Sequence, residues 1–340
     1  MLPKRSSGSS TTTFASPRAR RLWWLTFAGL LIAAVGFTFG LLSWNNPLPF
    51  GSDGYWRIAK MRSTAIVVML LVAICQGYAT VAFQTVTNNR IITPSIMGFE
   101  ALYVALHTAS VFFLGAAGVT ALQGDGAFLL QVVLMVGFSG LLYAWLLSGK
   151  LGNLHVMLLV GIVLGGGLRS LASFMQRLLT PSEFDILTAK LFGNISNAET
   201  SYLKYVIPVT LVTAVVLQLR GRTLNVLALG RDTANNLGVR HRRETIVTLF
   251  LVSLAMAMTT SLVGPMTFLG FLMATLAYQL CDTYDHRFLL PMSVLIGYVI
   301  LVGSYFLMRN VFYAEGAVTI IIELIGGTTF LIFIMRKGRL

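Results

Sequence analysis

Few side chains in this 340-residue chain are of a type or spacing that does covalent chemistry. Asp282 and Asp285 would suit a Mg²⁺ ion of the kind held by intramembrane prenyl transferases. Two carboxylates without further oxygen ligands make a weak cation site, however, and read more simply as a solvated loop. His241 and His286 stand among arginines, while His107 and His155 stand alone in apolar runs; packed or hydrogen-bonded roles account for all four. Cys75 and Cys281 also fall in apolar runs and offer neither a disulfide framework nor a metal-ligand spacing. No HExxH, Walker A glycine loop or nucleophile elbow occurs, so no metalloprotease signature is present and ATP hydrolysis by the P-loop route is excluded. Any energy used here comes from a partner.

What the sequence does concentrate is charge. Arg220 to Glu244, RGRTLNVLALGRDTANNLGVRHRRE, is the densest basic cluster, with only Asp232 and Glu244 acidic, and it separates two apolar runs. Short loops rich in Lys and Arg beside hydrophobic spans resist translocation, which places this segment in the cytoplasm. Leu224, Leu227, Ala228, Ala234 and Leu237 recur at helical spacing, and Gly230 and Gly238 punctuate the run as turn or cap residues. The pattern predicts two short helices lying against the membrane; a plain basic loop that only sets orientation is the other reading. Two further charges, Arg169 and Glu323, sit inside apolar runs, roughly 6 Å and roughly 9 Å from the outer ends of their spans. Charge at such depth is costly and usually faces a partner or a water-filled path.

The elements that must position these residues follow from composition. With 56% hydrophobic and 11% charged residues, the chain lies outside the balance of soluble domains and reads as an all-α polytopic membrane protein. The net charge of +13 would suit nucleic acid, but no basic surface interleaved with aromatics accompanies it, and membrane topology explains it better. Residues 1–21 read as a disordered basic cytoplasmic tail, and 22–340 as the transmembrane domain. Expected spans are Leu22–Leu42, Ser63–Phe83, Ser95–Gly115, Ala127–Leu147, Asn153–Ser173, Leu203–Leu219, two within Thr245–Cys281 divided at Gly264-Pro265, Phe288–Met308 and Ala317–Met335. That is ten transmembrane helices with both termini cytoplasmic, and basic residues are concentrated on the sides so assigned. A short outer surface helix is expected between Pro181 and Phe192.

The run LNVLALGRDTANNLGV resembles the cytoplasmic loop by which permeases of the iron-siderophore and vitamin B12 ABC importer family (FecCD-type) engage their ATPase. The match lies at Leu227, Leu229, Gly230, Asp232, Ala234, Leu237 and Gly238. Gln84, Asn89, Pro94 and Gly98 fit the family's turn after the second helix, Asp285, His286, Arg287 and Pro291 its inner loop before the ninth, and IGGTTFL its last helix. TPSIMGFEALY looks closest to the ferric siderophore subgroup. GPMTFLGFLMATLAYQL departs from the commoner pattern of a Pro-His pair and an arginine, which argues against vitamin B12.

The resemblance implies a permease subunit in a bacterial inner membrane. It also implies a separate ABC ATPase, a periplasmic or lipoprotein substrate-binding protein, a second permease subunit (identical or paralogous), a ferric siderophore as cargo, and no cofactor. Asp232, Ala234, Asn235 and Leu237 would face the ATPase, and Gly230 and Gly238 would allow the turns. Arg57, Lys60, Arg62 and Arg309 would dock the binding protein, although Ala59-Lys60-Met61-Arg62 stands where the family has Arg-x-Pro-Arg. The resemblance also places Arg169 and Glu323 beside the translocation pathway; their compatible depths and opposite charges suit either a pair across its outer part or charge presented to the polar chelate as it passes. The alternatives are a permease for another iron chelate, haem or cobalamin, a membrane-embedded Mg-dependent enzyme, and a metal-ion permease using Glu100, His107, His155 and Glu323.

Overall fold

The computed structural model describes residues 13–14, 16–44, 46–115, 117–118, 123–148, 154–191, 195, 198–312 and 318–337. Its α-helices are α1 (Pro17–Ser43), α2 (Asp53–Val86), α3 (Phe99–Leu114), α4 (Asp125–Ser148), α5 (Leu154–Arg177), α6 (Pro181–Leu191), α7 (Leu203–Leu219), α8 (Gly221–Leu227), α9 (Arg231–Asn236), α10 (His241–Val263), α11 (Leu269–Leu280), α12 (His286–Asn310) and α13 (Val318–Lys337). Seven of these regions are long and apolar enough to cross a membrane, and three shorter apolar helices lie at 99–114, 269–280 and 319–332.

Local chemistry sets the boundaries. α1 starts at Pro17 rather than Leu22, because the Ser16 hydroxyl accepts from Ala19 N at 3.1 Å and Pro17 is preorganised for the first turn. Phe14 is buried against Trp23 and Phe288, so the chain is packed before the helix begins. Residues 1–12 lie outside the described part. α2 also starts early, capped by Ser52, and its 34 residues extend about 51 Å against a hydrocarbon layer of about 30 Å. Its excess length carries Arg57 and Lys60 on a helix rather than in the expected loop. The surface helix appears as α6, opened by a Thr180–Glu183 capping box in which the carboxylate accepts from the Thr180 hydroxyl at 2.7 Å and backbone N–H at 3.0 Å.

α2, α10, α11 and α12 make the centre, and small residues let them approach. A Cβ on Gly77 would lie 2.9 Å from both Ser293 Oγ and Met273 Cε, so α2 meets α11 and α12 at backbone distance. Two helices are broken short of a full crossing, and their breaks are joined inside the bundle. Before α3, Pro94–Met97 forms a 3-10 turn ending at Gly98, whose φ of +97 excludes most side chains. Between α10 and α11, Gly264 at φ +89 ends one helix and residues 265–268 turn into the next. The twelve residues of α11 rise about 18 Å, short of a hydrocarbon layer of about 30 Å.

Candidate functional site

The arginine-rich segment forms the two short helices its periodicity predicts, α8 and α9, joined at Gly230 (φ +89) and left at Gly238 (φ +82). Leu224, Leu227 and Ala234 are fully buried, which corrects the expectation that Ala234 faces outward. A six-residue helix has one inward position per turn, and the small side chain at 234 takes it while Val239 N donates to Ala234 O at 2.9 Å. Ala228, Leu229, Asp232, Asn235 and Leu237 are among the exposed residues of the segment, with Leu229 57% and Leu237 59% exposed. Asn235 also accepts from His241 N at 3.2 Å, tying α9 to α10.

Behind this surface is a polar linkage that sequence reading missed, centred on Asn225. Its amide donates to Asp285 Oδ1 at 3.0 Å, and its Oδ1 accepts from His286 N at 2.9 Å and lies 2.6 Å from His286 Nδ1. An amide oxygen only accepts, so the Nδ1 proton points at Asn225 and Nε2 is left for Thr85 Oγ1, 2.6 Å away on α2. Asp285 caps α12 through Arg287 N at 3.0 Å and pairs with the Arg287 guanidinium. Burial raises the Asp285 carboxyl, but Arg287 and the Asn225 amide outweigh it and hold it below the usual value. Both Asp285 oxygens accept hydrogen bonds, and no group of three His, Cys, Asp or Glu suits a metal among the described residues. The His155 side chain lies outside them. Arg220 pairs with Glu244, closing the base of the segment onto α10. Asn225 stands in the same helix as the buried Leu224, which was the one signal that it points inward.

An inner cleft of about 820 Å³ opens beside this linkage, between Leu229, Asn88, Asn89, Arg90 and Tyr284. Gln84 donates to Arg90 O at 2.8 Å across the turn after α2, while the Arg90 guanidinium lies 4.4 Å over the Tyr278 ring.

Deeper in the bundle, two carboxylates hold the 264–268 turn. Glu100 of α3, fully buried, accepts from Thr267 Oγ1 at 2.6 Å and Met266 N at 3.2 Å. Glu323 of α13 accepts from Phe268 N at 3.3 Å. Free N–H groups at a helix start must be satisfied in an apolar medium, and this demand takes the Glu323 carboxylate. Arg169 is exposed, and neither it nor Glu323 belongs to an ion pair among the described residues, so the expected pairing is not made within the chain. Near the start of α2, Arg57 and Lys60 are exposed, and Arg309 is half-buried near the end of α12. Arg62 is committed otherwise, donating to the carbonyls of Leu41 at 3.2 Å and Trp44 at 2.9 Å, which caps the C-terminus of α1.

The described helices form an all-helical bundle with seven long apolar helices, and its family match makes it a permease. The chain belongs to the FecCD transport family, whose profile matches residues 22–337. It is 48% identical over 331 residues to the petrobactin import system permease protein FatC of Bacillus anthracis, covering 97% of this chain and 94% of that one. It is 34% identical to the petrobactin import system permease protein YclO of Bacillus subtilis, over 92% of this chain and 96% of that one. A second Bacillus anthracis petrobactin import permease, FatD, is 22% identical over 84% of each chain. Among solved structures, a metal-chelate type ABC transporter in an inward-facing conformation matches with a TM-score of 0.78 and 20% identity, covering 92% of this chain and 99% of that one.

Proposed function

We propose that this chain is the permease subunit of an ABC importer for a ferric siderophore of the petrobactin class, paired with a paralogous permease. The observation that carries the reading is the 48% identity to FatC along nearly the whole of both chains. The pairing is supported by FatC and FatD, which are two permeases named for one import system. The chain crosses the membrane ten times with both termini cytoplasmic. The exposed face of α8 and α9 receives the ATPase, and the Asn225–His286–Thr85 linkage passes its movement to α2 and α12. Arg57, Lys60 and Arg309 present positive charge to an acidic substrate-binding protein, while Arg62 fixes the helix end beside them. Arg169 and Glu323 lie on the pathway, Glu323 holding the turn that narrows it. The test is uptake of radiolabelled iron by a strain lacking its own petrobactin permeases. Expressing this chain with its paralogous partner should restore uptake of ferric petrobactin, and uptake of a different chelate alone would overturn the assignment.

A further inference from the structure

α1 is the least buried of the long helices, and one side of it is both grooved and charged. A furrow of about 680 Å³ runs along it, lined by Phe27, Leu31, Val35 and Thr38 of α1, Ile74 of α2 and Val294 of α12. The polar groups in its wall are already satisfied: Thr38 Oγ1 and Tyr298 OH bond each other at 2.8 Å, and Tyr78 OH donates to Gln218 Oε1 at 2.8 Å. One turn before Phe27, a second depression of about 520 Å³ is lined by Pro17, Arg20, Arg21, Trp24 and Leu25. Arg20 and Arg21 are exposed and form no ion pair among the described residues. Residues 17, 20, 21, 24, 27, 31, 35 and 38 share one helical face, so the basic depression and the apolar furrow form one continuous surface.

We infer that this surface binds an anionic phospholipid of the cytoplasmic leaflet, its phosphate held by Arg20 and Arg21 and one acyl chain laid in the α1–α2–α12 furrow. The inference rests on the proposed topology, which puts the start of α1 at the cytoplasmic interface. Trp24, 53% exposed, stands where an interfacial aromatic belongs. The lengths agree. One leaflet supplies about half of the roughly 30 Å hydrocarbon layer, so a chain entering beside Phe27 reaches about ten residues along the helix, to the level of Thr38. The medium outside this furrow is hydrocarbon, and two unpaired cations at its inner mouth select a negative headgroup. The lipid thereby seals α1 against the rest of the bundle.

The permease is purified with its partner subunits, reconstituted in nanodiscs of phosphatidylcholine or phosphatidylglycerol, extracted into mild detergent, and the phospholipid retained on the complex is measured by native mass spectrometry. Wild type should retain phosphatidylglycerol in preference to phosphatidylcholine. Arg20→Gln with Arg21→Gln should weaken that preference by on the order of thirty-fold, about five-fold for each arginine. Val35→Trp, a filling change at an exposed position that folding tolerates, should reduce retention of both lipids. Equal retention of the two lipids by wild type, or no change in the double arginine variant, overturns the headgroup site. Unchanged retention in Val35→Trp overturns the furrow, as does its occupation by a helix of another subunit, seen as a crosslink from Val35→Cys. Labelling of Arg18→Cys from the outer side of intact cells would instead refute the topology, which separates that failure from failure of the lipid site.

Discussion

Truncating the two exposed leucines of the α8–α9 surface, Leu229→Ala with Leu237→Ala, tests whether that surface receives the ATPase. Full burial of a leucine is worth about 1.5–3 kcal/mol, and a little under 60% of each side chain is still open to a partner. Each therefore contributes about 0.9–1.7 kcal/mol on docking, and the pair about 1.7–3.5 kcal/mol, which weakens Kd roughly 20- to 400-fold. The folded permease should be untouched, because neither side chain belongs to the core that contains Leu224 and Leu227. The assay is titration of the purified ATPase onto nanodisc-held permease dimers, with thermal unfolding of the same samples as the control. An unchanged Kd, with the melting temperature also unchanged, would refute the reasoning. Loss of both would show instead that these leucines serve the fold.

Asn225→Ala removes the junction of three hydrogen bonds and leaves His286 without its acceptor, so it should cost about 1–3 kcal/mol of stability and lower transport per ATP hydrolysed, measured by thermal shift and coupled uptake. In a charge swap, Arg169→Glu and Glu323→Arg should each impair uptake and the double variant should not recover it, because Glu323 is bonded to Phe268 N and not to Arg169; recovery in vesicle transport would show a pair formed in another state or across subunits. Arg62→Ala should lower thermal stability while sparing binding-protein affinity, whereas Arg57→Glu with Lys60→Glu should weaken that affinity more at low than at high salt, read by surface plasmon resonance. Asp285 has a depressed folded-state pKa, so its stabilising contribution is present above the ordinary carboxylate value near 4 and is lost as pH falls below it. Asp285→Asn should accordingly flatten the acid limb of melting temperature against pH below about pH 4.

The sequence by itself determined the class and most of the apolar helices. Apolar length, interruption at Gly264-Pro265 and basic clustering act locally, so the breaks between α10 and α11 and around α8 and α9 were legible from one stretch at a time. What each side chain touches is decided by elements far apart in the chain. Ala234 and Leu237 carry the same apolar signal, yet one packs under α9 and the other stands open, because a six-residue helix shows its direction only when docked on α10. That Arg62 lies under the last carbonyls of α1 follows only from the length of α2, which no local signal gave. Glu323 and Arg169 have compatible depths and opposite charge, but an unpaired backbone N–H at the start of α11 takes the carboxylate. Inside a membrane, satisfying backbone donors takes precedence over pairing side chains, and which donors are left over is fixed only when broken helices meet in the tertiary structure.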